Sequence, residues 1–457
     1  MPHRRVVVLG IGFALAATAP ARAAWSPPAL IGPETADVDQ LQAVSGLDGR
    51  VLGAWWWRHG ELAGVTGASR SPTGTWGPAI TFGTLHTRTG RTTGVGDGLL
   101  ALNAFGRGRV VGLAVRPGRG RGAATDVWQG STSSALRRRD TLAQDPWEPG
   151  VLAVEPTGAA AAAWTWMQPR KGAGSTLRPR VVMAARRSSS SQPFGAGRRI
   201  SPLPPAPPYG SGLGPRLSAT RATIGRRGRT VAVAWQRRGT IEARISQDGA
   251  RSWGPVRWLG PSTEAFPGLA VRVAPDNRIV VAWSAREGRG AARRIVTRVA
   301  RGPADGPLRT SVIGRSAPAA VPFGVADQFG PAVQIAFVRD VALVAFQDSD
   351  GTRVTLGTRR LDRAGRTTAI VPADGTAAVL DDLLVSPDAQ PALAWHTATA
   401  DSAALTGYVQ LGTAAPEALA AGGRVADLRL VRSPTGPVAL AEVHAATGTH
   451  VAAFTAR

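Results

Sequence analysis

The chain repeats one pattern of apolar positions: a strand-like run, a tight turn, and a second apolar run that ends in Ala-Trp or a close relative. The clear copies end at Trp55, Trp164, Trp235, Trp283, Phe346 and Trp395, and weaker copies lie at 111–115 and 438–442. The apolar residues alternate or form short β-branched stretches, without the period of about 3.6 residues that marks an amphipathic helix. The pattern therefore predicts eight repeated units made of β-strands.

The rest of each unit is repeated as well. In the third unit, the turn before the Ala-Trp strand reads Glu155-Pro156-Thr157-Gly158, and Pro, Asp, Asn and Gly at such positions favour hairpin turns. Related turns lie at 47–49, 274–277, 386–389 and 433–436. A third alternating run, such as 178–185 or 240–246, follows. The fourth segment often opens with an aromatic residue and glycine, as in Trp76-Gly77, Phe194-Gly195 and Trp253-Gly254. Each unit is thus predicted to hold four strands.

Four-stranded units repeated along the whole chain are typical of an all-β propeller, whereas the strands of a β-sandwich show no such higher period. We predict eight blades, with seven as the alternative because the second, sixth and eighth units are degenerate. Small alanines beside large tryptophans let neighbouring sheets interdigitate. The repeated tryptophans are therefore predicted to be core residues and not a platform for a ligand.

The two ends of the chain predict how the ring closes. The final unit holds only three strand candidates, at 426–432, 437–443 and 450–455, whereas the segment that starts at Trp25 resembles the fourth-strand segment that starts at Trp253. An N-terminal strand that completes the last blade removes two exposed sheet edges. We therefore predict that this N-terminal segment pairs with the C-terminal strands.

Residues 1–23 have the features of an export signal. His3-Arg4-Arg5 precedes an apolar run at 6–17, and Ala21-Arg22-Ala23 offers a small-x-small cleavage site. The apolar run spans about a dozen residues, fewer than the roughly 18 to 20 of a transmembrane helix. We expect cleavage before Ala24, one propeller domain over 24–457, and a secreted or cell-envelope location. An uncleaved N-terminal anchor is the alternative.

The charge of the chain predicts attraction to polyanions. The formal net charge is +24, and removing Arg4, Arg5 and Arg22 with the signal leaves 24 − 3 = +21. Arginines are spread along the chain, however, and Lys171 is the only lysine, which a biased codon composition explains equally well. The candidate anion-binding residues are Arg116, Arg119 and Arg121 in the second unit and Arg226, Arg227 and Arg229 in the fourth. Few aromatic residues interleave with them, which disfavours nucleic acid.

The segment from Ser246 to Trp253, Ser-Gln-Asp-Gly-Ala-Arg-Ser-Trp, resembles the Asp-box, a β-hairpin motif repeated in sialidases and other BNR-repeat propellers. In physical terms, Asp248 can accept hydrogen bonds from turn amides, Gly249 permits an unusual backbone angle, and Trp253 can pack the hairpin onto its blade. A more eroded copy at 69–76 lacks the aspartate. The chain is thus similar to secreted bacterial sialidase-like propeller proteins of unknown function. Because the motif is architectural in those families, the resemblance implies the fold and no reaction.

The sequence does not predict a sialidase active site. Such a site needs three arginines, a tyrosine paired with a glutamate, and an aspartate, but the only tyrosines are Tyr209, in a Pro-rich loop, and Tyr408, with no glutamate beside it. Other glycosidases need two carboxylates at a separation that a sequence does not reveal. Candidate carboxylates on predicted loops are Glu148, Glu155, Glu264 and Asp382.

Metal and thiol chemistry are also disfavoured. The chain has no cysteine, which excludes disulfides, thiolate metal sites and cysteine nucleophiles. Asp348-Ser349-Asp350-Gly351 is interpreted as a hairpin turn in preference to a calcium loop, and the histidines show no metal-ligand spacing.

The leading hypothesis is a non-enzymatic extracellular propeller that binds a protein or an anionic glycan, as a monomer without cofactor or metal. The alternative is a sialidase-like glycoside hydrolase or lyase with an unrecognised carboxylate pair, and no catalytic residue is assigned. Carboxylates that converge within about 5 to 10 Å at the mouth of the central channel would favour the enzyme. An arginine-lined or apolar mouth would favour binding.

Overall fold

The structure, a computed structural model, describes residues 25–32, 37–86, 91–94, 97–116, 124–144, 150–167, 180–203, 219–262, 268–288, 292, 294–317, 332–349, 353–362, 368–370, 377–385, 390–399, 404–412 and 414–456. Within these residues the fold is all-β, and no helix has the length and apolar character needed to cross a membrane. The export signal expected at 1–23 lies outside the described residues.

The strands form four-stranded antiparallel blades. The first strand, β1 (Ala29–Leu30), belongs to the last blade. Blade 1 contains β2 (Asp37–Ser45), β3 (Val51–His59), β4 (Leu62–Arg70) and β5 (Ile80–His86), with β6 (Arg91–Gly94) added at its edge. Blade 2 contains β7 (Asp97–Phe105), β8 (Arg109–Arg116), β9 (Ala124–Ser131) and β10 (Ser134–Gln144). Blade 3 contains β11 (Val151–Val154), β12 (Ala160–Met167), β13 (Arg180–Arg187) and β14 (Arg198–Arg199).

Blades 4 to 8 repeat this order. Blade 4 contains β15 (Ala219–Arg227), β16 (Thr230–Arg237), β17 (Thr240–Ser246) and β18 (Arg257–Pro261), and blade 5 contains β19 (Leu269–Val273), β20 (Arg278–Glu287), β21 (Arg294–Pro303) and β22 (Arg309–Arg315). Blade 6 contains β23 (Val333–Val338), β24 (Val341–Ser349), β25 (Val354–Arg360) and β26 (Thr368–Ile370). Blade 7 contains β27 (Ala377–Val385), β28 (Pro391–Ala398), β29 (Ala404–Leu411) and β30 (Glu417–Ala418). Blade 8 combines β31 (Arg424–Val431), β32 (Val438–Ala445) and β33 (Gly448–Thr455) with β1.

The first strand of each blade is the innermost one, and these strands form a closed ring. Going around, β2, β7, β11, β15, β19, β23, β27 and β31 contact one another in this order, and β31 contacts β2. The N-terminal strand completes blade 8, because Ala29 and Leu30 pair with Ala453 and Ala452, and Trp25 bridges to Ala456. The described chain is therefore an eight-bladed β-propeller closed by its N-terminal strand, as the sequence predicts.

The repeated tryptophans lie within the second strands and pack between blades. Trp55, Trp164, Trp235, Trp283 and Trp395 are each at most 3% exposed. Trp283 of blade 5, for example, packs in one cluster with Ala232 and Ala234 of blade 4. An aromatic side chain buries about 150–250 Å², which contributes roughly 4–6 kcal/mol at about 25 cal/mol per Å². The prediction that these tryptophans are core residues is confirmed.

The disc has two faces. The strand ends that are joined from the first to the second and from the third to the fourth strand of a blade lie on one face, called the turn face here. The strand ends that the other connections join lie on the opposite face, called the loop face. Turns of neighbouring blades touch on the turn face: the Leu47 amide donates to the Gly106 carbonyl (3.2 Å), and the Gly228 amide donates to the Glu155 carboxylate (2.8 Å). Side chains that leave these turns therefore share one surface.

The aromatic-glycine segments occupy one equivalent position in blades 1, 3 and 4. The amides of Gly77, Gly195 and Gly254 each donate to a carbonyl near the end of the third strand, those of Ser69, Arg186 and Ile245. This shared hydrogen bond places the third-to-fourth turns of the three blades in register.

Candidate functional site

Exposed arginines project from the turn face of blades 2 to 4. They are Arg107, Arg137, Arg139, Arg227, Arg229 and Arg251, and among the described residues none of these side chains makes a hydrogen bond or an ion pair. They leave the turns of blades 2 and 4 or the turn-side half of β10. We call these six residues the turn-face arginines.

The structure separates the predicted anion-binding arginines. Arg227 and Arg229 belong to the turn-face arginines, whereas the Arg226 side chain is only 7% exposed, donates to the Gly228 carbonyl (3.2 Å) and lies 3.8 Å from the Glu155 carboxylate. Arg116 ends β8 at the loop face, on the opposite side of the disc. Arg119 and Arg121 lie outside the described residues. The two predicted groups therefore do not form one surface through the residues that are described.

The turn from Ser246 to Trp253 in blade 4 is organised by one carboxylate. Asp248 accepts hydrogen bonds from the amides of Arg251 and Ser252 and from the hydroxyls of Ser246 and Ser252, at 2.6–3.1 Å. Burial alone would raise the pKa of Asp248, but these hydrogen bonds hold it well below its usual range. Gly249 has a φ of 76°, which suits glycine. Trp253 packs against the core between blades 3 and 4.

A cleft of about 370 Å³ opens between blades 2 and 3 on the turn-face side. One wall comes from β9 and β10, and the other from the third-to-fourth turn of blade 3. Its lining contains the cationic residues Arg109, Arg139 and Arg187, the polar residues Gln129, Asp140, Ser190, Ser191 and Gln192, and the apolar residues Val127, Pro193 and Phe194. Its size lies at the lower end of the range of about 300–1,000 Å³ for small-ligand sites. The cleft is therefore a candidate binding site.

Arg187 is the central cation of this cleft and is 4% exposed. Its Nε donates to the Gly158 carbonyl (3.0 Å) and its Nη1 donates to Gln129 Oε1 (3.0 Å). Its guanidinium carbon lies 5.5 Å from the ring centroid of Phe105 and 5.4 Å from that of Phe194. These contacts place the guanidinium over the faces of two aromatic rings, a favourable cation–π arrangement.

The third nitrogen of Arg187 lacks a partner. Nη2 is buried and makes no hydrogen bond with any described residue. Burial lowers the pKa of the guanidinium to about 10, and a buried donor that goes unpaired costs about 1–3 kcal/mol. The fold thus fixes the position of the Arg187 guanidinium but leaves one of its nitrogens without a hydrogen-bond partner among the described residues.

The cleft carries an excess of positive charge. Its single described carboxylate, Asp140, accepts hydrogen bonds from the amides of Phe194 (3.1 Å) and Thr141 (2.8 Å) and forms no ion pair with Arg109 or Arg139. Arg109 donates to the Ser190 hydroxyl (3.2 Å), and Arg139 is exposed. Three arginines against one engaged carboxylate favour an anionic ligand.

Sequence reasoning identified Phe194-Gly195 as the start of a fourth strand but missed Arg187. The signal lies in the register of the repeat: Arg187 stands where blade 4 has Ser246, and Ser189 stands where blade 4 has Asp248. An arginine at this buried position, in a turn that lacks the organising aspartate, distinguishes the third-to-fourth turn of blade 3 from that of blade 4.

A second group of charges lies on the inner strands of blades 7 and 8. Arg429 of β31 donates to the carbonyls of Leu41 (2.9 Å) and Asp381 (2.9 Å) and to the Asp427 carboxylate (3.0 Å). Asp382, a candidate carboxylate from the sequence, accepts from the amides of Leu383 (2.8 Å) and Leu430 (2.9 Å). Irregular pairing in β27 and β31 accompanies these residues, and such bulges re-aim side chains.

His396 joins this group, which we call the inner-strand network. Its Nδ1 lies 2.9 Å from Asp381 Oδ2. Burial alone would lower the pKa of His396, but the charge and hydrogen bond of Asp381 raise it. Burial, with the charges of Asp381 and Asp382, raises the pKa of Asp427 to about 7 against the opposing effect of Arg429. The network thus contains a carboxyl that binds a proton near neutral pH.

The other candidates from the sequence have separate positions. Glu155 is engaged by Gly228 and Arg226, and Asp348 is half-buried and accepts from the Ser349 amide (2.9 Å). Tyr408 stacks on Trp395 with ring centroids 5.6 Å apart. Glu148, Glu264, Tyr209, Asp350 and Gly351 lie outside the described residues. Within the described part of the chain, no group of His, Asp and Glu has a metal-binding arrangement.

No protein-family model and no curated protein sequence matches the chain. Among solved structures, it is similar to the Dos1 propeller (10% identity, 94% of this chain and 95% of that one, TM-score 0.48). It is also similar to an α-L-arabinofuranosidase from Fusarium graminearum (11% identity, 79% and 93% covered, TM-score 0.40) and to a Trypanosoma rangeli sialidase (10% identity, 70% and 55% covered, TM-score 0.33). At these identities and TM-scores, the similarities carry no information about what this chain binds or whether it catalyses a reaction.

Proposed function

We propose that the chain is an exported, non-enzymatic β-propeller that binds an anionic glycan across the turn face of blades 2 to 4. The observation that carries this proposal is the group of turn-face arginines, whose positive charges are exposed and unpaired among the described residues. The signal-like segment 1–23 and the resemblance of 246–253 to the Asp-box support an exported propeller of the sialidase-like type.

Electrostatics favours a polymeric anion as the ligand. Charges on one face act together, because at physiological ionic strength the screening length of about 8 Å is comparable to the spacing of neighbouring side chains. Arginine forms bidentate hydrogen bonds with carboxylates and sulfates, the anionic groups of acidic polysaccharides. A polymer that crosses several blades contacts several arginines at once.

Matched charge removal on the two faces tests the proposal. The variant Arg227→Gln/Arg229→Gln removes two turn-face charges, and Arg58→Gln/Arg424→Gln removes two exposed charges at the loop-face ends of β3 and β31. Affinity for heparin and for polygalacturonate is measured at two ionic strengths. We expect a loss of about three- to tenfold for the turn-face variant, since each exposed pair contributes about 0.2–1 kcal/mol, and no loss for the loop-face variant. Equal losses in both would contradict a turn-face site.

A second candidate function, glycoside hydrolysis, is favoured by one observation in the inner-strand network. Asp427 has a pKa raised to about 7 beside Asp382, and a general acid must hold a proton at neutral pH. Incubating the chain and its Asp427→Asn variant with a panel of oligosaccharides tests it. Product formation that disappears in Asp427→Asn would replace binding by hydrolysis as the function, and no product from either protein would remove this candidate.

A further inference from the structure

The third strand ends at equivalent positions in blades 1, 3 and 4, but with different residues. The shared amide-to-carbonyl hydrogen bond of Gly77, Gly195 and Gly254 aligns Arg70, Arg187 and Ser246. In blade 4, Ser246 is part of the turn that Asp248 organises, and its hydroxyl also accepts from the Ala250 amide (2.8 Å). The position therefore belongs to the turn in this blade.

In blade 1 the equivalent arginine connects two blades. Arg70 is 3% exposed and donates to the hydroxyls of Ser433 (2.8 Å), Thr435 (3.1 Å) and Thr455 (3.2 Å) in blade 8. Both of its terminal nitrogens thus have oxygen partners within the fold, and its Nε, the nitrogen next to the aliphatic stem, is unpaired among the described residues. The hydrogen bonds that join blades 1 and 8 therefore explain why an arginine occupies this position.

In blade 3 the unpaired nitrogen of the equivalent arginine is a terminal one. Nε and Nη1 of Arg187 are used to fix the guanidinium, while Nη2 stays unpaired among the described residues, and the residue lines the cleft. The turn that follows, Ser188 to Gln192, contains hydroxyls where blade 4 has Asp248. No carboxylate of this turn competes for the arginine.

Beside the cleft, Gly158 brings the turns of blade 3 and the end of β7 into close contact. Gly158 has a φ of 83°, and a Cβ built there would lie 2.7 Å from Ser190 Cβ and 2.9 Å from Phe105 Cε2. This close approach seats the turn of blade 3 on blade 2 and holds Phe105 beside Arg187. A guanidinium fixed in advance loses little freedom when it binds a ligand.

We infer that the cleft between blades 2 and 3 is an oxyanion subsite, in which Arg187, flanked by Arg109 and Arg139, binds the carboxylate or sulfate group of one acidic sugar unit. This subsite deepens the proposed function and rests on it for the choice of a glycan. The polar lining fits a sugar better than a bare anion, because Gln129, Asp140 and Gln192 can bond to hydroxyl groups of the ring. Asp140 also disfavours a ligand without such hydroxyls.

Short ligands test the subsite separately from the broad face. Isothermal titration uses trigalacturonate for the carboxylate, a sulfated heparin trisaccharide for the sulfate, and maltotriose as the neutral sugar. We expect at least one acidic trisaccharide to bind, maltotriose to bind about tenfold more weakly or not at all, and inorganic sulfate to bind more weakly than the acidic sugar. The acidic trisaccharide that binds identifies the group that Arg187 takes.

The variants Arg187→Met and Arg139→Gln remove a buried and an exposed cation of the cleft, and Arg70→Met is the matched control at the equivalent position of blade 1. We expect Arg187→Met to weaken the acidic trisaccharide about tenfold or more, since a hydrogen bond to a charged group is lost. Arg139→Gln, whose exposed side chain does not hold the fold together, should weaken it about threefold. Arg70→Met should leave the affinity unchanged as long as the variant is folded. Thermal melts verify that it is folded.

The outcomes separate the two proposals. Trisaccharide binding that survives both Arg187→Met and Arg139→Gln, or falls equally in Arg70→Met, overturns the subsite. If polymer binding still depends on Arg227 and Arg229 in that case, the proposed function stands without the subsite. Trisaccharide binding that depends on Arg187, with polymer binding indifferent to Arg227 and Arg229, supports the subsite and overturns the broad face. A wild-type chain that binds neither polymer nor trisaccharide overturns both.

Discussion

Two arginines packed between strands of this propeller, Arg429 partly buried and Arg187 buried, have opposite surroundings. Arg429, on the inner strand of blade 8, has an oxygen partner for each of its three nitrogens, drawn from blades 1, 7 and 8. Arg187, between blades 2 and 3, has partners for two nitrogens, while the third is unpaired among the described residues and the residue lines a cleft. Water reaches part of Arg429 and almost none of Arg187, but only Arg429 has a hydrogen-bond partner for every nitrogen among the described residues.

The difference separates a structural role from a binding role. A buried charge whose hydrogen bonds are complete stabilises the arrangement of the strands that supply its partners, and removing it leaves those partners unpaired. A buried charge with an unpaired donor destabilises the fold. An oxyanion that accepts a hydrogen bond from this donor offsets the destabilisation. The inner-strand network is thus expected to govern stability, and the cleft is expected to govern affinity.

The largest expected effect is loss of stability in Arg429→Met. Removing this guanidinium leaves Asp427 without its ion pair and the Leu41 and Asp381 carbonyls without their donor. Because both side chains of the pair are partly exposed, we expect a loss of about 3 kcal/mol, the lower end of the range for a fully buried pair. Urea unfolding measures the change, with Arg424→Gln, an exposed arginine on the same strand, as the control. A loss below about 1 kcal/mol would show that the network does not hold blades 1, 7 and 8 together.

A smaller effect is expected from pH. The folded-state pKa of Asp427 is raised to about 7 from a usual value of 3.8, so the folded state binds this proton more tightly than the unfolded state. The contribution of this proton to the free energy of unfolding is complete below about pH 4 and is lost as the pH rises through about 7. The raised pKa of His396 acts in the same direction. We expect the free energy of unfolding of Asp427→Asn to fall less between pH 5 and 8 than that of the wild type, by about 1–2 kcal/mol. Parallel pH profiles for the two proteins would contradict the shifted pKa.

The sequence predicted the parts of the fold that are repeated. Trp235 and its counterparts recur at one place in each unit, and the likeness between the segments at Trp25 and Trp253 is sufficient to predict ring closure. The sequence predicted only part of the inner-strand network. It offered Asp382 as a candidate carboxylate but did not single out Asp427 or Arg429, which belong to the next blade. Arg187 was missed because its neighbours Phe105, Gln129 and Phe194 come from three separate segments. Contacts between blades are not encoded by the period of the repeat.

A still smaller effect is expected from the third-to-fourth turns. Asp248→Ala removes the acceptor of two turn amides in blade 4, and we expect a loss of about 1 kcal/mol in the free energy of unfolding. Ser189→Ala changes the equivalent position in blade 3 and should cost less than about 0.5 kcal/mol, since its hydroxyl bonds only to the exposed Ser191. Chemical denaturation of the two variants side by side measures the difference. Equal losses would show that the two turns are built alike.

The smallest stability change is expected for Arg187→Met. Methionine leaves the Gly158 carbonyl and Gln129 without their donor, but it also removes a desolvated charge with an unpaired nitrogen and keeps contact with Phe105 and Phe194. Because these effects oppose each other, the free energy of unfolding should change by less than about 1 kcal/mol. Arg70→Met at the equivalent position of blade 1 leaves three hydroxyls without their donor and should cost about 1–3 kcal/mol. Thermal melts compare the two directly. A larger loss in Arg187→Met than in Arg70→Met would assign Arg187 a structural role.

A crystal structure of the chain with the acidic trisaccharide that binds more tightly tests the central claim most directly. We predict a carboxylate or sulfate oxygen within about 2.7–3.2 Å of Arg187 Nη2, with sugar hydroxyls bonded to Gln129, Asp140 or Gln192. An acidic group held instead by Arg429 on the inner strands, with the cleft between blades 2 and 3 empty, would contradict it.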